Sequence, residues 1–393
     1  MDRYLNQFAG RVGHLMEEGA YAVLAQAQAL EAQGRDIIHL EIGQPDFQTF
    51  PNVSMAGIRA IANGQTRYNP PAGVPALRAA IAKDAGGQRG IAVKQEQVVI
   101  GPGAKPLLYF PIMALVEPSD EVIYPNPGFP SYSAIIQLAG GVPVPVPLLE
   151  ENSFSFDLVA FDARVGPKTR LIILNSPSNP TGGIIPSGDL AHILQAAEHY
   201  NCWVLSDEIY MRLVYGDEPA VSIAALPGAR QRTIIVDGFS KTYAMTGWRL
   251  GFGIMPEPLV EKVGLLLTHS VGCTATFTQI AGIEALTGPQ EQVEAVRSEY
   301  RRRRDLIVAG LNAIPGVTCQ TPQGAFYVFP NIKSLDLSSD RLAEILLNRA
   351  GVAVLPGTAF GEYGEGYLRL CYSNSTEQIQ RALDRMAETL ARL

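Results

Sequence analysis

The stretch DGFSKTYAMTGWRLGFG, residues 237–253, follows the β-branched run RTIIV at 232–236. A short apolar run of this kind reads as a buried strand. Lys241 therefore stands just beyond a strand end, with Arg249 eight residues later and glycines at 238, 247, 251 and 253. Two readings compete: a loop carrying two solvated charges, or a reactive amine with an anion clamp beside it. The rest of the chain has to separate them.

Outward from this stretch the same rhythm repeats. EQVVI (96–100), DEVIYP (120–125), RLIILN (170–175) and CWVLSDE (202–208) each read as a strand, and amphipathic segments such as SGDLAHILQAAEHYN (187–201) lie between. Alternation of that kind predicts a mostly parallel sheet with helices on both faces. Chemistry in such sheets gathers beyond the carboxyl ends of the strands. After about residue 290 the pattern changes to a long helix, GAFYVFPNI (324–332), a second helix and the strand-like VAVLPG and YLRLCYSN. The expected organisation is a large lobe, 45–290, and a smaller α+β lobe built from 1–44 and 291–393. The Pro-rich GGVPVPVPLLEE (140–151) suits an edge strand or a connection.

Bulk composition removes several classes of function. Hydrophobic residues form 47 % of the chain and charged residues 18 %, which favours a well-buried globular enzyme over disorder. A net charge of −7 disfavours a nucleic-acid surface. The one basic run, Arg301–Arg304, sits between acids in a helical stretch and reads as a solvated face. Four cysteines without C-x-x-C spacing suggest neither a disulfide framework nor a zinc site, and no metal is expected. The five histidines, His14, His39, His192, His199 and His269, assemble no catalytic group and read as structural or surface residues. The N-terminal segment lacks the apolar core of a signal peptide, and no apolar run is long enough to span a membrane, so a cytoplasmic setting is expected.

Three further strand ends carry chemistry. In VVIGPGAKPLL (98–108) a glycine turn opens a helix whose first amides favour a phosphate, although neither a Walker loop nor a dinucleotide fingerprint is present. Asp207 and Glu208 end the strand in WVLSDEIY; they read as a metal pair, a helix cap, or an acid awaiting a cation. Asn179 lies in the turn of LIILNSPSNPTGG (171–183), either as turn chemistry or as an amide aimed at a ligand. A lysine, a phosphate-type turn, a strand-end aspartate and an arginine together match what pyridoxal 5′-phosphate needs. The lysine forms an imine, the turn and arginine hold the phosphate, and the aspartate keeps the ring nitrogen protonated.

These motifs resemble the class I/II, fold type I pyridoxal-phosphate aminotransferases, bacterial aspartate aminotransferases in particular. GFSKTYAMTGWRLG (238–251), SPSNPTG (176–182), SDEIY (206–210), IGQPDF (42–47) and YLRLCYSNS (367–375) occur in the family's order, and the resemblance runs from about residue 10 to 385. It implies an α/β large domain with a mostly parallel seven-stranded sheet, a smaller α+β domain, and a homodimer with shared active sites. It also implies a ping-pong transfer of an amino group between an amino acid and a 2-oxo acid.

Carried over residue by residue, Lys241 matches the imine-forming lysine and proton carrier, Asp207 the partner of the ring nitrogen, and Tyr210 and Asn179 the groups at the ring oxygen. Phe129 matches the stacking aromatic. Gly103, Ala104, Lys105, Ser240 and Arg249 fall at the phosphate, with Gly238 where many members place a serine. Arg369 matches the clamp on the substrate α-carboxylate, Gly43 the backbone approach to substrate, and Tyr68 the tyrosine lent by the neighbouring subunit. Lys105 also resembles a lysine that binds a distal carboxylate, which points to aspartate with 2-oxoglutarate. Two departures stand beside it: Glu18 and Ala20 replace a Ser-x-Thr, and Pro106 replaces a glutamine. The alternatives are an alanine-, aromatic- or branched-chain-type aminotransferase of broad specificity, or a lyase on the same fold. A non-catalytic binding module fits poorly with the presence of Lys241.

Overall fold

The computed structural model describes residues 8–13, 15, 18–216 and 220–393, so His14 lies outside the described residues. The large sheet runs, edge to edge, Val98–Gly101, Gly251–Ile254, Thr233–Gly238, Trp203–Asp207, Thr169–Asn175, Glu121–Asn126, Val142–Leu149 and Ser155–Phe156. The five strands from Thr233–Gly238 to Val142–Leu149 are mutually parallel. Gly251–Ile254 is inserted antiparallel between Val98–Gly101 and Thr233–Gly238. The sheet thus holds the seven expected strands and an eighth, the two-residue Ser155–Phe156. This last strand folds back antiparallel onto Leu148 and Leu149 after a turn in which Ser153 and Phe154 both take positive φ. Two residues are too few to show a strand period in sequence.

The central strands are buried on both faces, which explains their continuous apolar runs. The Pro-rich segment is the strand Val142–Leu149, paired along Glu121–Asn126. Its prolines, 143, 145 and 147, alternate, so their missing N–H groups fall on one side of the strand. That side can be the one turned away from Glu121–Asn126, which is how proline is tolerated near a sheet edge.

At the other end of the chain, Tyr327–Val328, Leu368–Cys371 and Leu355–Pro356 form an antiparallel sheet, and Ile38–His39 pairs parallel with Val352–Ala353. Helices Glu291–Asn312 and Thr376–Leu390 pack over it. Ile379, Leu383 and Met386 recur at helical spacing on the buried face of the second. One apolar cluster contains Ile100, Phe239 and Leu250 from the large sheet region together with Leu342, Leu370 and Ile379, so the two regions share a core.

The basic run differs from expectation. Four consecutive helical residues are about 100° apart and cannot share one face. Arg303 turns inward, bonds Asp46 and Glu299 at 2.8 Å, and lies 5.0 Å over the Phe47 ring. Arg304 is also largely covered and lies 5.2 Å over Tyr215. Arg301 is exposed and Arg302 pairs with Glu299 on the surface.

Behind the sheet, Arg89 closes the helix Pro75–Arg89 and reaches two acids at once. It bonds Glu208 at 2.5 Å and Asp237 at 2.6 Å, with its own side chain fully buried. Ser206 and Ser222 also donate to Glu208. The network ties the strand end that carries Asp207 to the one that leads to Lys241. Removing one member of a buried ion network leaves its partners charged and uncompensated. Arg89→Met is therefore expected to destabilise the protein by about 3–5 kcal/mol. Urea unfolding checks this, and a change below about 1 kcal/mol would show that the network bears little of the fold's stability.

Candidate active site

At the carboxyl ends of the parallel strands lies a cavity of about 630 Å³. Strand ends supply Asp207, the turns after them supply Asn179, Tyr210, Ser240 and Lys241, and Ala104 and Lys105 come from the glycine turn and the helix it opens. Phe129 and Arg249 complete this side, while Gly43, Tyr327 and Arg369 face them from across the cleft. Two residues expected here do not line it. Gly103 lies just behind Arg249, and Tyr68 is 97 % exposed.

Lys241 follows the strand Thr233–Gly238 by three residues. Its Nζ donates to the Gly43 carbonyl at 2.6 Å and lies 5.5 Å over the Phe326 ring and 5.8 Å over that of Tyr210. Burial pulls the amine down to about 8, partly opposed by the nearby Cys371 and Asp207. The contact requires glycine at 43, because a Cβ there would stand 2.1 Å from the Tyr327 hydroxyl.

Asp207 and Glu208 are neighbours with separate tasks. Side chains alternate across a strand, and where Glu208 turns to Arg89, Asp207 faces the cavity. Of the three readings open to this pair, a shared metal site does not fit two carboxylates turned to different neighbours; among the described residues no group of three His, Cys, Asp or Glu is placed to hold a metal ion. The Asp207 carboxylate accepts from the Tyr132 hydroxyl at 2.8 Å and the Ile209 amide at 3.3 Å. Burial raises it to about 6, against those two hydrogen bonds. Among the described residues no cationic side chain bonds it.

Asn175 fixes the neighbouring turn. Its amide donates to the Asp207 carbonyl at 3.0 Å, and its oxygen accepts from the Asn179 backbone N–H at 2.8 Å. The Asn179 side-chain oxygen is buried without a hydrogen-bond partner among the described residues. Tyr210 and Tyr327 join their hydroxyls at 2.7 Å. Arg369, on strand Leu368–Cys371, is buried between Tyr327 and Phe360, with its guanidinium 4.7 and 5.1 Å from their rings. It donates to the Glu41 carbonyl, while its Nε has no partner among the described residues. Buried polar groups are seldom left unpaired in the absence of a ligand.

The glycine turn joins strand Val98–Gly101 to helix Lys105–Leu115. Gly103 has φ +93°, and a Cβ on it would lie 2.3 Å from Arg249 Nη2. Arg249 is exposed to the cavity, bonded to the Thr246 carbonyl at 3.0 Å, and poised over the start of helix Lys105–Leu115. Lys105 pairs with Glu18 at 3.0 Å and lies 5.1 Å over the Phe129 ring.

Sequence reasoning missed Tyr132, Tyr327 and Asn175. Asn175 and Tyr327 lie inside stretches already quoted, LIILNSPSNPTGG and GAFYVFPNI, but nothing local marks the Tyr132 hydroxyl as the partner of an acid 75 residues away. A neighbouring cleft of about 900 Å³ shares Gln44, Thr246, Gly247 and Arg249. It is larger, but among the described residues its titratable lining groups are Arg249 and Cys273, against six charged side chains in the smaller cavity.

The comparisons with known proteins agree with this site. The family model described as aminotransferase class I and II matches residues 35–386. The chain is 42 % identical over 357 residues to an aspartate aminotransferase of Pyrococcus horikoshii, covering 90 % of this chain and 91 % of that one. It is 41 % identical over 363 residues to aromatic-amino-acid aminotransferase 2 of Thermococcus litoralis, covering 91 % and 93 %. The solved structure of a Thermus thermophilus aspartate aminotransferase with maleate superposes with a TM-score of 0.93 at 38 % identity, over 97 % of this chain and 99 % of that one. The fold and site define a fold type I aminotransferase, whose family acts on small amino and 2-oxo acids. The chain belongs to the class I and II aminotransferases and is a pyridoxal-phosphate-dependent enzyme of that family.

An amine held at about 8 reacts as a nucleophile at lower pH than a solvated lysine, since only its neutral form attacks. In the cofactor-free protein, reductive methylation of Lys241 should be half-maximal near pH 8, against about 10.4 for solvated lysines. The rate should rise with pH to that point and then level. Site-resolved mass spectrometry measures it, and a Lys241 midpoint near 10.4 would show that burial does not tune this amine.

Proposed function

We propose that this enzyme exchanges the amino group of aspartate with 2-oxoglutarate, through the residues that line the 630 Å³ cavity. The observation that carries the reading is that two cations, Arg369 and Lys105, face this cavity besides Lys241 and Arg249. One suits an α-carboxylate and the other a distal one. The names of the Pyrococcus and Thermus relatives support it. Broad specificity is the second reading, supported by the Thermococcus aromatic relative and by Glu18 on Lys105.

The residues fit pyridoxal phosphate. Among the described residues Asp207 has no cationic partner, which a protonated ring nitrogen would supply, and the Asn179 side-chain NH2 and the Tyr210 hydroxyl, both lining the cavity, would suit the ring oxygen. Phe129 offers its face to the ring. Arg249, Ser240 and the amides after Gly103 suit the phosphate, and Lys241 provides the amine that attaches. When bound, the cofactor supplies an electron sink for the charge that develops at the substrate Cα. Lys241 would then take the Cα proton: an amine near 8 has a usable neutral fraction at physiological pH, where a solvated lysine is almost wholly charged, and is still basic enough to accept it. Asp207 stays anionic once a cation reaches it, because an opposite charge lowers a carboxyl raised by burial. Arg369, packed between two aromatic faces, holds the α-carboxylate through the donors left free and so orients the Cα proton toward Lys241.

The same reading divides the chain into a cofactor-binding lobe, 45–290, and a lobe of both chain ends, 1–44 and 291–393. It also makes the enzyme a cytoplasmic homodimer. Tyr68 is almost fully exposed, yet its neighbours are anchored: Thr276 bonds the Arg67 carbonyl and Asn69 bonds the Thr274 carbonyl. Thr274 lines the cleft that opens onto Arg249, a place where a partner's tyrosine could enter.

Three experiments test these points. Across a panel of amino donors, conversion of the bound cofactor to its amine form identifies a transaminase, and elimination without conversion identifies a lyase. Lys105→Ser should lower kcat/KM for aspartate and glutamate by about 10- to 150-fold, the loss of a charged hydrogen bond, and spare alanine and phenylalanine. Equal losses for all donors would remove the case for aspartate. For the shared site, Tyr68→Ala and Arg369→Ala subunits are mixed. The hybrid should regain about half of wild-type activity, because one of its two sites then keeps both residues; activity no higher than half that of the Tyr68→Ala parent would mean each subunit is self-sufficient.

A further inference from the structure

The geometry points to Glu18 as a specificity-determining residue that competes with the substrate's distal carboxylate for Lys105, setting the preference between acidic and neutral amino acids. The inference rests on the reading of Lys105 given above and deepens it. Six charged side chains line the cavity: Glu18, Lys105, Asp207, Lys241, Arg249 and Arg369. Asp207, Lys241 and Arg249 are assigned to the cofactor and Arg369 to the α-carboxylate. The pair left to meet a substrate side chain is Lys105 and Glu18, joined at 3.0 Å.

At rest that pair is neutral overall, with Ala20, Tyr21, Leu108 and Phe129 around it in the same cavity. A neutral side chain can pack there without disturbing a charge. A distal carboxylate cannot share Lys105 freely with Glu18, because two anions at one ammonium repel, so its binding must displace Glu18. The structure permits this. Glu18 is the residue before helix Gly19–Glu31 and its side chain makes no capping hydrogen bond there, so the contact with Lys105 is what holds it. Its side chain is 29 % exposed and that of Lys105 50 %, so the released carboxylate reaches water. It also stays near the positive end of a helix, which favours an anion. Displacement is therefore inexpensive, and acidic and neutral donors are both admitted, with the acidic ones held back by the strength of one partly exposed ion pair.

The test uses the holoenzyme and its Glu18→Gln, Lys105→Ser and doubly substituted variants. Binding of succinate, a dicarboxylate, and butyrate, its monocarboxylate control, is measured by calorimetry beside kcat/KM for aspartate and alanine. Glu18→Gln should tighten succinate by about 2- to 5-fold, the factor that a partly exposed ion pair represents. Butyrate should be unchanged, and the aspartate-to-alanine ratio should rise by a similar factor. In the Lys105→Ser background the gain should vanish. Equal changes for succinate and butyrate, or a gain that persists without Lys105, would overturn the role of Glu18. If Lys105→Ser itself leaves succinate affinity untouched, the reading of Lys105 as a carboxylate site fails, and the inference with it.

Discussion

A primary amine packed among aromatic rings, with a single backbone carbonyl for a partner, is the constraint around which this structure is arranged. Among the described residues no carboxylate bonds Lys241, so Cys371 and Asp207 oppose its burial only in part and the neutral form gains ground. Holding it there requires the Gly43 carbonyl at a fixed place. The segment from residue 38 to 43 does so by being tied at several points. Ile38 and His39 pair with Val352 and Ala353, the Glu41 carbonyl accepts from Arg369, and the Gly43 carbonyl accepts from Lys241. The residue proposed to bind substrate and the residue proposed to take its proton are thus joined through three residues of one strand-like segment. A shift in one moves the other.

Charge is sorted by the pleat of the sheet. Asp207 and Glu208 are adjacent, but alternation sends one carboxylate to the cavity and the other to Arg89 behind it. The rear acids, Glu208 and Asp237, are matched in place by a buried arginine. The front acid is left with a tyrosine and an amide. A carboxyl in that condition is harder to ionise than an exposed one, so the site gains from a ligand that carries a positive nitrogen. Stability is secured behind the sheet, and the deficit is left where binding can use it.

The sequence made the strand ends legible because buried parallel strands carry long β-branched runs, and the chemistry-bearing residues follow them directly. RTIIV before Lys241 and CWVLS before Asp207 are of this kind. Resemblance to a family then supplied Gly43, Phe129 and Arg369, which no local pattern would have joined to them. What stayed hidden was mostly long-range. Tyr132 reaches Asp207, Tyr327 reaches Tyr210, and Arg89 reaches two acids more than 100 residues away. The misreading of the arginine run had a different cause: composition suggested one solvated face, whereas helical rotation sends Arg303 onto Asp46 and Phe47. The eighth strand escaped because two residues have no period.

Glu18 shows how a departure from a family pattern can carry information of its own. An acid at a cavity whose lining is otherwise rich in cations is unfavourable for an anionic substrate, unless it has a cation to neutralise and room to leave. Both conditions hold here, since Lys105 is 3.0 Å away and the Glu18 side chain makes no capping hydrogen bond. In the same cavity Arg369 is buried and fixed by two aromatic faces, while Lys105 is half-exposed and paired with a movable acid. A rigid cation suits the group that every amino acid shares, and an adjustable one suits the part in which they differ. On physical grounds, then, discrimination between side chains belongs at the mouth of the cavity, where an ion pair can be exchanged at small cost, and chemistry belongs at its floor.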